Sequence, residues 1–128
     1  MEWVLLFIVC LFGFVHELRK LMAKWREQNI AEYQRSIKYM EGEIKKIEQH
    51  SFDLKEGRLK RNKETYLKFE QTVKHTNPEY YQFKIKELQE DISWDNSVIH
   101  REEYQIEEYR KRIKEYRERL TTFYKKED

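Results

Sequence analysis

One break constrains what this chain can fold into. Residues 75–78, His75-Thr76-Asn77-Pro78, carry the only proline and separate two long, charged, helix-forming arms. Proline has no backbone N–H and clashes with the preceding helical turn, so Pro78 is disfavoured inside a helix. It also pushes Asn77 out of the α region. Asn77 as N-cap with Pro78 at the first helical position is a favoured helix start. Thr76 with Glu79 offers a second cap in capping-box spacing. The competing reading is a kink within one long rod, and the apolar register decides between the two.

In the second arm, Ile85, Leu88, Ile92, Ile99, Ile106, Tyr109, Ile113, Tyr116, Leu120 and Phe123 recur at spacings that follow a heptad seam. Polar residues interrupt it at Asp95 and Glu102. In the first arm, Ile30, Tyr33, Ile37, Met40, Ile44, Ile47 and Leu54 do the same, interrupted at Ser51 and Arg58. Folding the chain at the break pairs positions whose numbers total 153. Ile30 then meets Phe123, Tyr33 meets Leu120, Ile37 meets Tyr116 and Ile47 meets Ile106. The interruptions meet as well: Ser51 with Glu102, and Arg58 with Asp95. A random pairing would not set both gaps against both gaps, so a hairpin is expected.

Nearer the turn the first arm slips by one. Leu59, Tyr66, Phe69 and Val73 carry the stripe, and a total of 154 pairs Tyr66 with Leu88, Phe69 with Ile85 and Val73 with Tyr81. One inserted residue near Gly57 would produce that slip, because glycine tolerates the local distortion. The Arg58–Asp95 layer is expected to fix register more than to add stability, since desolvation offsets much of a buried pair's attraction.

Residues 3–15 carry no charge. At helical rise they cover roughly 20 Å, against about 30 Å of hydrocarbon in a bilayer. The apolar pattern continues through Leu18, Leu21 and Met22, from which Arg19, Lys20 and Lys24 can snorkel to headgroups. A tilted or bilayer-thinning single pass over residues 1–22 is therefore expected. A signal peptide fits poorly, because the start is Met1-Glu2 with no basic leader and no small-residue cleavage site. An interfacial helix fits poorly too, because this run is apolar on all sides. Trp3, Leu6, Phe7, Cys10, Phe14, Arg19, Lys20 and Trp25 are the expected anchor residues. Arg19, Lys20, Lys24 and Arg26 crowd the C-terminal flank. The positive-inside bias then puts the N-terminus outside and the hairpin on the cytoplasmic or organelle-matrix side.

The expected architecture is all-α: a single-pass membrane helix at residues 1–22, a first coiled-coil arm at 23–74, a turn at 75–78, a second arm at 79–124 and a frayed tail at 125–128. Composition agrees, with 39% charged residues, three glycines and one proline. That balance suits long helices. A two-helix hairpin has a thin core, so self-association or a docking partner is expected.

No motif for chemistry stands out. The four histidines, His16, His50, His75 and His100, have no metal-ligand spacing. There is no glycine-rich phosphate loop. The single cysteine is expected in lipid, away from any base. Glu102-Glu103 and Glu107-Glu108 lie among arginines and lysines, which is helix-stabilising charge patterning. No enzymatic activity, cofactor or metal is expected. The net charge of +2 with interspersed signs is not a nucleic-acid-binding balance overall. Locally, Lys55, Arg58, Lys60, Arg61 and Lys63 form a basic run, read first as a solvated face and second as a contact for an anionic partner. Phe52, Trp94 and Val98 miss the seam and are the expected docking surface, Trp being enriched at binding hot spots.

The leading expectation is a membrane-anchored coiled-coil scaffold, an accessory or structural subunit of a larger membrane assembly. One alternative is a self-assembling membrane organiser, in division, membrane shaping or phage development. The other is a membrane tether for nucleic acid through residues 55–63.

Overall fold

The computed structural model describes residues 1–125 and contains helix throughout; among these, only Met1 and Asn77 lie outside a helical turn. Helix α1 runs Glu2–Leu54. A π-helical turn, Lys55–Leu59, leads to α2, Lys60–Lys68. A second π-helical turn, Phe69–Val73, precedes the short α3, Lys74–Thr76. Helix α4 runs Pro78–Lys125. Of the tail expected at 125–128, Lys125 closes α4 and the rest lies outside the described residues.

The reversal falls where the proline places it. Asn77 leaves the helical region at φ −146°, ψ 84°. Its side-chain Oδ1 accepts from the Tyr80 N–H at 3.3 Å, and its carbonyl accepts from the Tyr81 N–H at 2.9 Å. Asn77 is thus the N-cap of α4, with Pro78 at the first helical position. The second cap is not formed. The Thr76 hydroxyl donates backward, to the carbonyls of Thr72 at 3.2 Å and Val73 at 3.4 Å. Thr76 is still helical, and a helical threonine finds its acceptor one turn back.

The chain divides into two compact units. In the unit formed by Met1–Tyr39 and Ile113–Asp128, Ile37, Ile113 and Leu120 are buried. Tyr33 packs edge-on against Tyr116 at 5.1 Å between ring centroids, and against Phe123 at 6.1 Å. These two rings bracket Leu120, the residue the heptad register sets opposite Tyr33. Arg119 donates to the Tyr33 hydroxyl at 3.4 Å, which raises the guanidinium further above its usual range. Gln34 donates to the Tyr124 hydroxyl at 3.3 Å, and Arg26 donates to the Phe123 carbonyl.

In the unit Met40–Arg112, Met40, Ile44, Leu59, Ile99 and Ile106 are buried, together with Ser51 and Asp95. Each apolar residue of this kind contributes about 1.5–3 kcal/mol by leaving water. Both polar layers assemble. Asp95, only 1% exposed, accepts from Arg58 Nε at 3.0 Å and from a second Arg58 nitrogen, a two-point grip. The Ser51 hydroxyl donates to Glu102, which also meets the His50 ring. Glu48 with Arg110 at 3.0 Å and Lys55 with Glu103 at 3.4 Å tie the same flank at exposed positions, where such pairs add little.

The register slip has a definite cause. At Gly57, φ −99° and ψ −105° depart from helix inside the π-turn, and Leu59 beyond it is the most buried apolar side chain. A π-turn inserts one residue into an α-helix. The second π-turn, Phe69–Val73, was not legible, because its residues carry no glycine or proline. It lies beside the reversal, where three side-chain contacts join the arms. Phe69 meets Tyr80, with ring centroids 5.9 Å apart. Tyr66 accepts from Gln89 at 3.4 Å, and Lys74 lies over the Tyr81 ring at 5.9 Å.

One expectation needs correction. No helix among the described residues is long and apolar enough to cross a membrane. The uncharged run stops at Val15, and within the helix Glu2, Glu17, Arg19 and Lys20 close it on both sides. The single-pass span over residues 1–22 is therefore not supported by the structure.

Candidate interaction surface

The first 25 residues are exposed on every side of α1. Trp3 is 82% exposed, Phe7 68% and Phe14 66%; Leu6, Trp25 and Cys10 are exposed as well. Trp3, Phe7, Cys10 and Phe14 fall at helical spacing and share one face, with Leu6 beside it. Arg19 and Lys20 begin the charged zone, where Lys20 lies 3.8 Å from Glu17. A continuous apolar surface of this extent is unusual for a chain bathed only in water.

The expected docking trio is only partly gathered. Trp94 and Val98 lie one turn apart on α4, Trp94 exposed and Val98 half-buried, while Phe52 is exposed on α1. The Arg101 guanidinium sits 5.7 Å from the Trp94 ring. Trp94 edges a shallow recess with Lys86, Glu90 and Ser97.

The basic run is also divided by the fold. Arg58 is committed to Asp95, whose hydrogen bond and charge raise the guanidinium further above its usual range. Lys55 pairs with Glu103. Lys60 and Lys63 line a second recess, with Glu56 and Glu64 interspersed. Arg61 is exposed. Two of the five cations therefore serve the hairpin itself.

A further concavity was not anticipated. It is an open groove of ≈ 1040 Å³ within the unit Met40–Arg112, between α2 and α4. From α2 it is lined by Lys63, Tyr66 and Leu67, and from α4 by Ile92, Ser93, Asn96 and Ser97, with His100 and Arg101 beyond them. The sequence held two signals for it. Leu67 is an apolar residue beside the seam, and Ser93, Asn96 and Ser97 place small polar side chains on one face of α4. Among the described residues, no group of three His, Cys, Asp or Glu side chains is arranged to hold a metal ion.

No protein-family model, curated protein or solved structure matches the chain.

Proposed function

We propose that this protein is a non-enzymatic, membrane-anchored coiled-coil scaffold, a small accessory or structural subunit of a larger membrane assembly. One observation carries the reading: α1 begins with a stretch that is apolar on all faces and has no cover, and then continues into a charged, paired hairpin arm. Exposed apolar area is unfavourable in water by roughly 25 cal/mol per Å², so lipid or protein must cover it. The uncharged core is short, so the bilayer thins around it while Arg19, Lys20 and Lys24 reach the headgroups. Trp3 and Trp25 suit the two interfacial zones. The charge bias puts the hairpin on the cytoplasmic or organelle-matrix side. With few buried side chains, the hairpin gains stability from helices of other subunits.

The nucleic-acid tether is disfavoured, because Arg58 and Lys55 are engaged within the hairpin. Self-assembly is the competing occupant of the exposed flanks, and the test separates it. The tagged chain is extracted from native membranes, first with alkaline carbonate and then with mild detergent. Retention through carbonate, lost in a Phe7→Asp/Leu11→Asp variant, is expected for the anchor. Elution with other polypeptides in fixed ratio is expected for the scaffold. Release by carbonate would sink the anchor. Elution with itself alone in a defined multiple would replace the subunit reading with the organiser.

A further inference from the structure

The hairpin is unevenly packed. Among residues 60–94 none is buried, although Tyr66, Phe69 and Val73 on one arm and Ile85, Leu88 and Ile92 on the other supply apolar groups. Beyond this zone, Leu59, Ile99 and Ile106 are all buried. The two π-turns, Lys55–Leu59 and Phe69–Val73, bracket α2 and turn its face by an extra residue at each end. π-turns inside helices frequently mark functional sites. The consequence here is the groove between α2 and α4, lined by the half-buried Tyr66 and Ile92. Leu67 remains 54% exposed at its edge.

Three features narrow the occupant. The groove is open along its length, whereas a site for a small molecule buries most of its ligand. Its α4 side runs from Gln89 to Arg101, about 18 Å at helical rise, or roughly three turns of a docked helix. Its wall of Ser93, Asn96 and Ser97 is low, so a helix backbone can approach closely. The formal charge of the lining is one-sided: Lys63 and Arg101 carry it, and no lining residue is Asp or Glu. We infer that this groove receives an amphipathic helix of a partner protein, with aliphatic residues inward and carboxylates along its edges, completing a three-helix layer. Ridge-in-groove packing supplies the fit, and the charge pattern supplies selectivity and orientation. The inference rests on the scaffold reading and specifies the chemistry of its partner.

The test uses the full chain in detergent micelles and two labelled synthetic helices of roughly 21 residues, six turns. Both carry leucine at the seam positions; one has Glu along its edges and the other Lys. Fluorescence anisotropy is expected to show binding of the Glu helix at least about tenfold tighter than the Lys helix. Lys63→Glu/Arg101→Glu is expected to reverse that order. Ser97→Trp, which fills the groove, is expected to abolish both while far-UV circular dichroism stays unchanged. Equal affinities, or a Glu helix indifferent to Ser97→Trp, would overturn the inference. So would a single-stranded oligonucleotide that binds in place of the helix, or a self-dimer that Ser97→Trp dissociates. If the Lys63→Glu/Arg101→Glu chain still extracts from membranes with an unchanged set of subunits, the groove assignment falls and the scaffold reading survives.

Discussion

Removing one residue at two places should have opposite consequences. Deleting Lys45, an exposed residue in the uninterrupted part of α1, turns Met40 and Ile44 by about 100° relative to the residues that follow, since a helix advances 3.6 residues per turn. Met40 and Ile44 are 5% and 8% exposed, so both leave the core. At about 1.5–3 kcal/mol per fully buried side chain, the loss is about 3–6 kcal/mol. Deleting Gly57 removes the extra residue of the π-turn instead. The segment from Leu54 to Leu59 then closes as an ordinary α-turn, and residues beyond it keep their face. Losing a glycine from a helix also removes a weak helix former, so stability should stay within about 1 kcal/mol of the parent. The assay is urea unfolding of both deletion variants and the parent in one detergent, followed by far-UV circular dichroism. A Gly57 deletion as damaging as the Lys45 deletion would refute the claim that the π-turn absorbs one residue.

Other consequences follow from single positions. Gly42→Ala, at an exposed helical site where an added Cβ meets nothing within 4 Å, should raise stability by about 0.5–1 kcal/mol in the same unfolding assay. Ser51→Ala removes a buried donor to Glu102 and should cost about 1 kcal/mol, whereas an unchanged urea midpoint would mean that His50 alone suffices there. Burial, then the nearby Glu70 and Tyr66, raise Tyr81 above its ordinary value of 10.0. The folded state therefore holds that proton more tightly. Its stability contribution is complete below pH 10.0 and declines as pH rises through the folded value, so Tyr81→Phe should lose less stability than the parent as pH is raised above 10.0. In a Cys10→Ser background, Ile37→Cys with Tyr116→Cys should form a disulfide within one chain; crosslinks found only between chains would mean that the arms do not pair internally.

The legible parts of this protein were those set by local chemistry and period. Proline at residue 78 decided where the helix restarts, and Asn77 decided how it is capped. The matching gaps in the two seams decided register, because a buried Asp95 needs its counter-charge and a part-buried Glu102 needs a donor. Gly57 announced the first slip because glycine was the residue able to take a non-helical pair of angles there. Nothing comparable announced the second π-turn, since Phe69, Glu70, Gln71, Thr72 and Val73 include no glycine or proline. Thr76 misled for a similar reason: its hydroxyl had a carbonyl one turn back and took it.

The candidate sites divide along the same line. The apolar stretch at residues 3–15 was plain from composition alone. That no described helix is long and apolar enough to cross a membrane reflects the charges at Glu2, Glu17, Arg19 and Lys20, which bound the uncharged run on both sides. The basic run looked uniform in sequence, but the fold spends Arg58 on Asp95 and Lys55 on Glu103. The groove left only faint signals, Leu67 beside the seam and small polar residues on one face of α4, because it arises where apolar groups are turned aside by two helical insertions. The sequence by itself determined the helices, their cap, their main register and the exposed apolar start, all of which depend on spacing along one strand of chain. Only the tertiary structure decided which apolar groups are covered and which cations are free to meet a partner, because both depend on how two faces close on each other.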